Sequence, residues 1–175
     1  MKELEILKSL NQQLKTIGVS SLVLKGKEKE SEHCLLIETG TKKTNIKILV
    51  APFELGKHAP SDIFADKREY VRVQLDATFP YSVALSSMAD MAQVLHFLNL
   101  QVDLPGFYLN LADKEIIYRY VLLADMNYFP EKILLSIIGI AMLFQDVFAK
   151  TFKELAEGKA TFLDVMEEIQ NSLKN

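Results

Sequence analysis

The chain has 175 residues, 49% hydrophobic and 25% charged, with a formal net charge of −3. That length suits one domain spanning residues 1–175 and can bury a real core, while the slight acidity argues against a nucleic-acid binder with a basic face. A single cysteine, Cys34, excludes an internal disulfide and a multi-cysteine metal site.

The opening stretch MKELEILKSL carries charges inside its apolar pattern and lacks the uninterrupted apolar core of a signal peptide, so a cytoplasmic protein is expected. Lys2–Ile17 reads as an amphipathic helix, with Leu4, Leu7, Leu14 and Ile17 on one face and Leu10 close to it. Gly18 should close it in the left-handed conformation. Strands are predicted at Ser21–Lys25, His33–Thr39 and Ile46–Ala51, and the short polar turns between them favour antiparallel pairing. Cys34 lies in HCLLIET and reads as a small buried hydrophobe, since no base or helix N-terminus is visible to activate it.

Pro52–Arg68 is the least regular stretch, because Pro52, Gly56 and Pro60 discourage a long element. It reads first as a surface excursion and second as the cover of a pocket. Tyr70–Phe79 is the next strand, with Val71, Val73 and Leu75 on one face, and Pro80 should stop it. Ser86 or Ser87 is expected to cap a helix reaching about Leu100, with Asp90 in its first turn. Its buried stripe is Met88, Met91, Ala92, Leu95 and Leu98, unusually widened by Val94 and Phe97.

A hairpin follows. Gly106–Leu111 alternates, placing Phe107, Leu109 and Leu111 on one side. Ala112, Asp113 and Lys114 make the turn, where the Asp113 carboxylate suits backbone amides. Glu115–Leu123 returns with both faces largely apolar, as expected of a strand that is central or covered on both sides. One long helix then runs from Pro130 and Glu131 through Leu155 to Gly158. Its apolar run, Ile133–Phe144, is shorter than the roughly 20 residues of a membrane span. Thr161 caps a last short helix carrying Phe162, Val165, Ile169 and Leu173.

This order gives an α+β class, an antiparallel β-sheet packed against helices. No strand–helix–strand unit repeats, so a doubly wound parallel sheet is not expected. Motifs of chemistry are missing. No phosphate loop, HExxH pair or GxSxG elbow occurs, and His33, His58 and His96 are scattered. The reading is therefore a non-enzyme with no metal and no organic cofactor. Lys25, Lys27, Lys29, Lys42 and Lys43 are interleaved with Glu28, Glu30 and Glu32, which describes a solvated rim.

Placed every 100° around an ideal helix, Ile133, Ile137, Ile140, Phe144, Phe148 and Leu155 share one side, expected to face the sheet. Leu135, Gly139, Met142 and Leu143 fall on the side of Lys132, Ser136, Asp146, Lys150 and Lys153. Apolar side chains around a glycine make a contact patch, because glycine admits a close neighbour. The C-terminal helix, about 12 residues at about 1.5 Å each, would reach back only to around Gln145. The four are therefore assigned to a second copy or a client, the alternative being cover by the N-terminal helix or a loop.

Leu104-Pro105-Gly106-Phe107, Tyr118-Arg119-Tyr120-Val121-Leu122, the helix ending at Gly158-Lys159, and Asn99 resemble the YbjN family of bacterial proteins, within the type III secretion chaperone-like fold. The likeness covers about Tyr70–Lys159, leaves an extra C-terminal helix, and carries no catalytic residues across. It implies an α+β domain whose relatives form homodimers and bind polypeptides. The expected function is a protein-binding module, chaperone-like or regulatory, acting as a homodimer on a protein partner or client polypeptide. The alternative is a small-ligand sensor or enzyme with a pocket under the 52–68 loop. A shallow apolar groove or an exposed sheet edge would favour the first, and a deep polar-lined cavity with convergent titratable side chains the second.

Overall fold

The computed structural model describes residues 2–26, 33–40, 45–53, 69–103 and 106–172. Its class is the expected α+β, a six-stranded antiparallel sheet with five helices among the described residues. The strands are β1 (Ser21–Leu24), β2 (Cys34–Glu38), β3 (Asn45–Phe53), β4 (Tyr70–Ser82), β5 (Phe107–Asn110) and β6 (Glu115–Asp125), in the spatial order β1-β2-β3-β4-β6-β5. The helices are α1 (Lys2–Thr16), α2 (Met88–Gln101), α3 (Glu131–Val147), α4 (Ala149–Ala156) and α5 (Phe162–Ser172). The chain divides into two compact units, Met1–Asp76 with Tyr120–Gly139, and Ala77–Arg119 with Ile140–Asn175.

In the first unit α1 buries Ile6, Leu7, Leu10 and Leu14. Ile17, expected on that face, is 67% exposed. The helix ends at Thr16, and Gly18 takes φ +79°. The Val19 N–H then bonds the Leu14 carbonyl at 2.9 Å and the Gly18 N–H the Lys15 carbonyl at 3.1 Å. This double closure satisfies the last carbonyls and leaves Ile17 past the final helical turn. The Ser21 hydroxyl donates to Asn11 Oδ1 at 2.9 Å, tying β1 to α1.

Strands β1, β2 and β3 pair antiparallel in sequence, as the polar turns suggest. Ile46, Ile48 and Val50 are buried. Cys34 stands in a cross-strand row between Leu24 and Leu49 and is 8% exposed. A thiol reagent is expected to label it far more slowly in the native protein than in denaturant. Equal rates in the two conditions would show the thiol to be accessible.

β4 buries Val71, Val73, Leu75, Ala77 and Phe79 in strict alternation. It runs through Pro80 to Ser82 instead of stopping at Phe79. Proline's φ fits extended backbone, and its single missing N–H is tolerated close to a strand end.

In the second unit a 3-10 turn, Leu85–Ser87, leads into α2. Ser87 is the N-cap, but its side chain makes no capping bond. The Met88 N–H bonds the Leu85 carbonyl, so the 3-10 turn satisfies this one first-turn donor. The buried line of α2 is Met91, Val94 and Leu95, and Ala92 is exposed, one position out of phase with it. Asp90 Oδ1 accepts from the Phe162 N–H at 3.1 Å, joining α2 to α5.

Gly158, at φ +70°, ends α4 with the same double closure that ends α1: the Lys159 N–H bonds the Glu154 carbonyl at 2.8 Å and the Gly158 N–H the Leu155 carbonyl at 3.0 Å. Thr161 caps α5 reciprocally. Its N–H and hydroxyl both donate to Asp164 Oδ2 at 2.7 Å, and the Asp164 N–H returns to the hydroxyl at 3.3 Å. These Thr161 bonds hold the Asp164 carboxyl below its usual range. Leu173, expected on this helix's apolar face, lies outside the described residues.

Candidate protein-binding surface

The second unit is organised around Phe107. β5 and β6 pair so that Phe107 faces Tyr118 and Asn110 faces Glu115. The hairpin turn is closed by Asn110 rather than Asp113. Asn110 Oδ1 accepts from the Ala112 N–H at 3.2 Å, and Asn110 Nδ2 donates to Asp113 Oδ2 at 2.7 Å. Lys114 takes the left-handed conformation there, at φ 59°. Leu111, expected to continue the buried face, belongs to this turn and is exposed. In the strand order β6 is central, as expected, yet Val121 and Leu123 remain exposed.

The side chain of Asn99, near the end of α2, reaches β5. Its Nδ2 donates to the Phe107 carbonyl at 2.8 Å and its Oδ1 accepts from the Phe107 N–H at 2.7 Å. The Arg119 N–H bonds the Gly106 carbonyl at 3.0 Å, so Phe107's own N–H and C=O point away from β6, toward Asn99. Gly106 makes room for this clamp. A Cβ there would stand 2.0 Å from Asn99 Oδ1.

The Phe107 ring is buried among Tyr118, Phe144, Phe148 and Phe152, with centroids 5.2–5.7 Å away, and Phe79 at 6.2 Å. Phe148 and Phe152 stack at 5.4 Å. This packing accompanies the largest departure from the expected fold. The helix read as continuous from Glu131 to Leu155 is bent by 54° between α3 and α4, at Phe148. Neither proline nor glycine stands at the break. Phe148 has φ −92° and ψ 0°, and the chain still carries the bonds from the Phe148 N–H to the Phe144 carbonyl (3.0 Å) and from the Phe152 N–H to the Phe148 carbonyl (2.9 Å). The bend lets Phe144, Phe148 and Phe152 all meet Phe107. No single helix among the described residues is long and apolar enough to cross a membrane.

α3 is also rotated from the face read in the sequence. Its buried line is Leu134, Ile137, Ile138, Ala141 and Gln145, while Ile133 is 56% exposed. Gln145 can be buried because its Nε2 donates to the Thr78 carbonyl at 2.9 Å. Of the four residues assigned to a partner, Leu135 and Met142 are half-buried, Gly139 is exposed and Leu143 is 56% exposed. A Cβ added to Gly139 would meet nothing within 4 Å.

Below Leu143 the apolar surface opens into a groove of about 260 Å³. One wall is Val94, Phe97 and Leu98 of α2. The α3–α4 bend supplies Val147, Phe148 and Thr151, and α5 supplies Val165, Met166, Glu168 and Ile169. α5 thus meets the bend at 147–151, within the reach set by its length. Val147, at 58% exposure, carries the groove out to the surface. The sequence pointed to the site only through the extra width of the α2 stripe, because the bend that completes it leaves no local signal.

The other candidates are less developed. His33 Nδ1 accepts from the Gly26 N–H at 3.1 Å, and His96 is exposed. Among the described residues no three His, Cys, Asp or Glu side chains gather as metal ligands would. The 52–68 loop, His58 and the cluster Lys27, Lys29, Lys42 and Lys43 lie outside the described residues, apart from Pro52 and Phe53 at the end of β3. No protein-family model matches the chain, and no curated protein matches it.

Proposed function

We propose that the protein is a non-enzymatic protein-binding module of the cytoplasm, chaperone-like or regulatory, that works as a homodimer and engages a client polypeptide. One observation carries the reading. The apolar surface from Leu143 and Val147 into the groove is open to solvent beside a tightly packed aromatic core. Contiguous exposed apolar surface is costly unless a partner covers it. The likeness to the YbjN family and the secretion chaperone-like fold supports the same reading.

The homodimer has a direct test. Light scattering should return twice the chain mass of 19.8 kDa for the wild type. Leu143→Glu should reduce it to one chain without loss of circular dichroism, since Leu143 contributes little to the fold. A wild type that scatters as one chain, or a folded Leu143→Glu variant that stays dimeric, would refute the dimer.

A further inference from the structure

We infer that the groove between α2, the α3–α4 bend and α5 receives the apolar face of a basic amphipathic helix from another protein. The inference rests on the protein-binding reading and names the partner's chemistry.

The shape argues for side chains rather than an enclosed small molecule. At about 260 Å³ the groove lies below the range of about 300–1,000 Å³ typical of small-ligand pockets. It is open along one side, and its apolar track runs out to the exposed Val147, while Leu143, one helical turn earlier and outside the groove, is left to the dimer contact. A helix laid along such a track presents apolar residues at three- and four-residue spacing, which is the helix-in-groove mode.

The charge argues for a basic partner. The described residues of α2 and α5 carry Asp90, Asp164, Glu167 and Glu168 and no lysine or arginine. Glu168 lines the groove itself. α4 carries Lys150 and Lys153, but its residue in the groove wall is Thr151. An apolar groove lined by one carboxylate, between two helices whose described residues carry acidic side chains and no lysine or arginine, attracts a helix flanked by lysine or arginine and repels an acidic helix or an anionic lipid surface.

The test uses the full chain and three probes: a fluorescent Leu/Lys amphipathic helical peptide, a Leu/Glu peptide with the same apolar face, and anionic phosphatidylglycerol vesicles. Anisotropy should show saturable binding of the Leu/Lys peptide that weakens as salt rises, with no binding of the other two. Glu168→Lys should weaken it roughly tenfold through like-charge repulsion, and Val147→Asp should abolish it. Both positions are exposed, so both variants should fold. Equal binding of the two peptides, folded variants that bind unchanged, or preference for the vesicles would each overturn the inference. If the Leu/Lys peptide does not bind while Leu143→Glu still breaks the wild-type dimer, the groove assignment falls and the protein-binding reading stands. If the wild type is also monomeric, both fall.

Discussion

Phe107→Ala is expected to destabilise the protein by about 3–5 kcal/mol, the range for emptying a buried aromatic site. The ring is 4% exposed and has five aromatic neighbours. Those neighbours lie on β4, β6, α3, α4 and the break at Phe148, so no single element can move in to fill the space. Aromatic pairs also contribute about 0.5–1.5 kcal/mol each beyond the area they bury. Urea unfolding followed by circular dichroism measures the loss. Leu111→Ala, at an exposed turn position, is the control and should stay within about 0.5 kcal/mol of wild type. A Phe107→Ala loss under about 1 kcal/mol would mean that the rings around it collapse freely, against the packing described.

Asn99 and Gly106 should be coupled. Asn99→Ala removes two hydrogen bonds to Phe107, at about 0.5–1.5 kcal/mol each, so a loss of about 2 kcal/mol is expected. Gly106→Ala should cost a similar amount for a different reason. Its Cβ would stand 2.0 Å from Oδ1 and 2.6 Å from Cγ of Asn99, so the amide must leave both partners. The three atoms nearest that Cβ all belong to the Asn99 side chain. In an Asn99→Ala background the alanine at 106 is therefore relieved of its three closest contacts and should cost far less. Gly106 does not have positive φ, so alanine can adopt its backbone. The double variant should lie close to Asn99→Ala alone, a non-additivity of about 1–2 kcal/mol, well within the range for contacting residues. Strictly additive losses would show that Gly106 is kept for some reason other than the clamp.

Much of this fold was legible because its signals are local. Gly18 and Gly158 mark helix ends by a conformation other residues rarely adopt, and Thr161 and Asp164 form a cap within one turn. The alternation of β3 and β4 reports directly on which face is buried. The errors concentrate on α3, where the sequence is apolar nearly all round and a helical wheel has no strong polar side to orient it. Gln145 looks like a surface residue until the Thr78 carbonyl is placed opposite it. The bend at Phe148 follows from rings brought together by β4, β5 and β6, so no local residue announces it. Asn99 and Gly106 were visible as parts of a motif, but only the fold shows that one leaves space for the other.

The clamp has a further consequence at the sheet margin. β5 is an outermost strand, and such a strand ordinarily offers outward amides and carbonyls to any extended chain that passes. At Phe107 both groups are already engaged by one asparagine amide, which supplies a donor and an acceptor as a neighbouring peptide would. Strand addition at Phe107 would first have to displace the Asn99 amide. This end of β5, which lies in the same unit as the open apolar groove, thus resists the β-pairing that leads to aggregates.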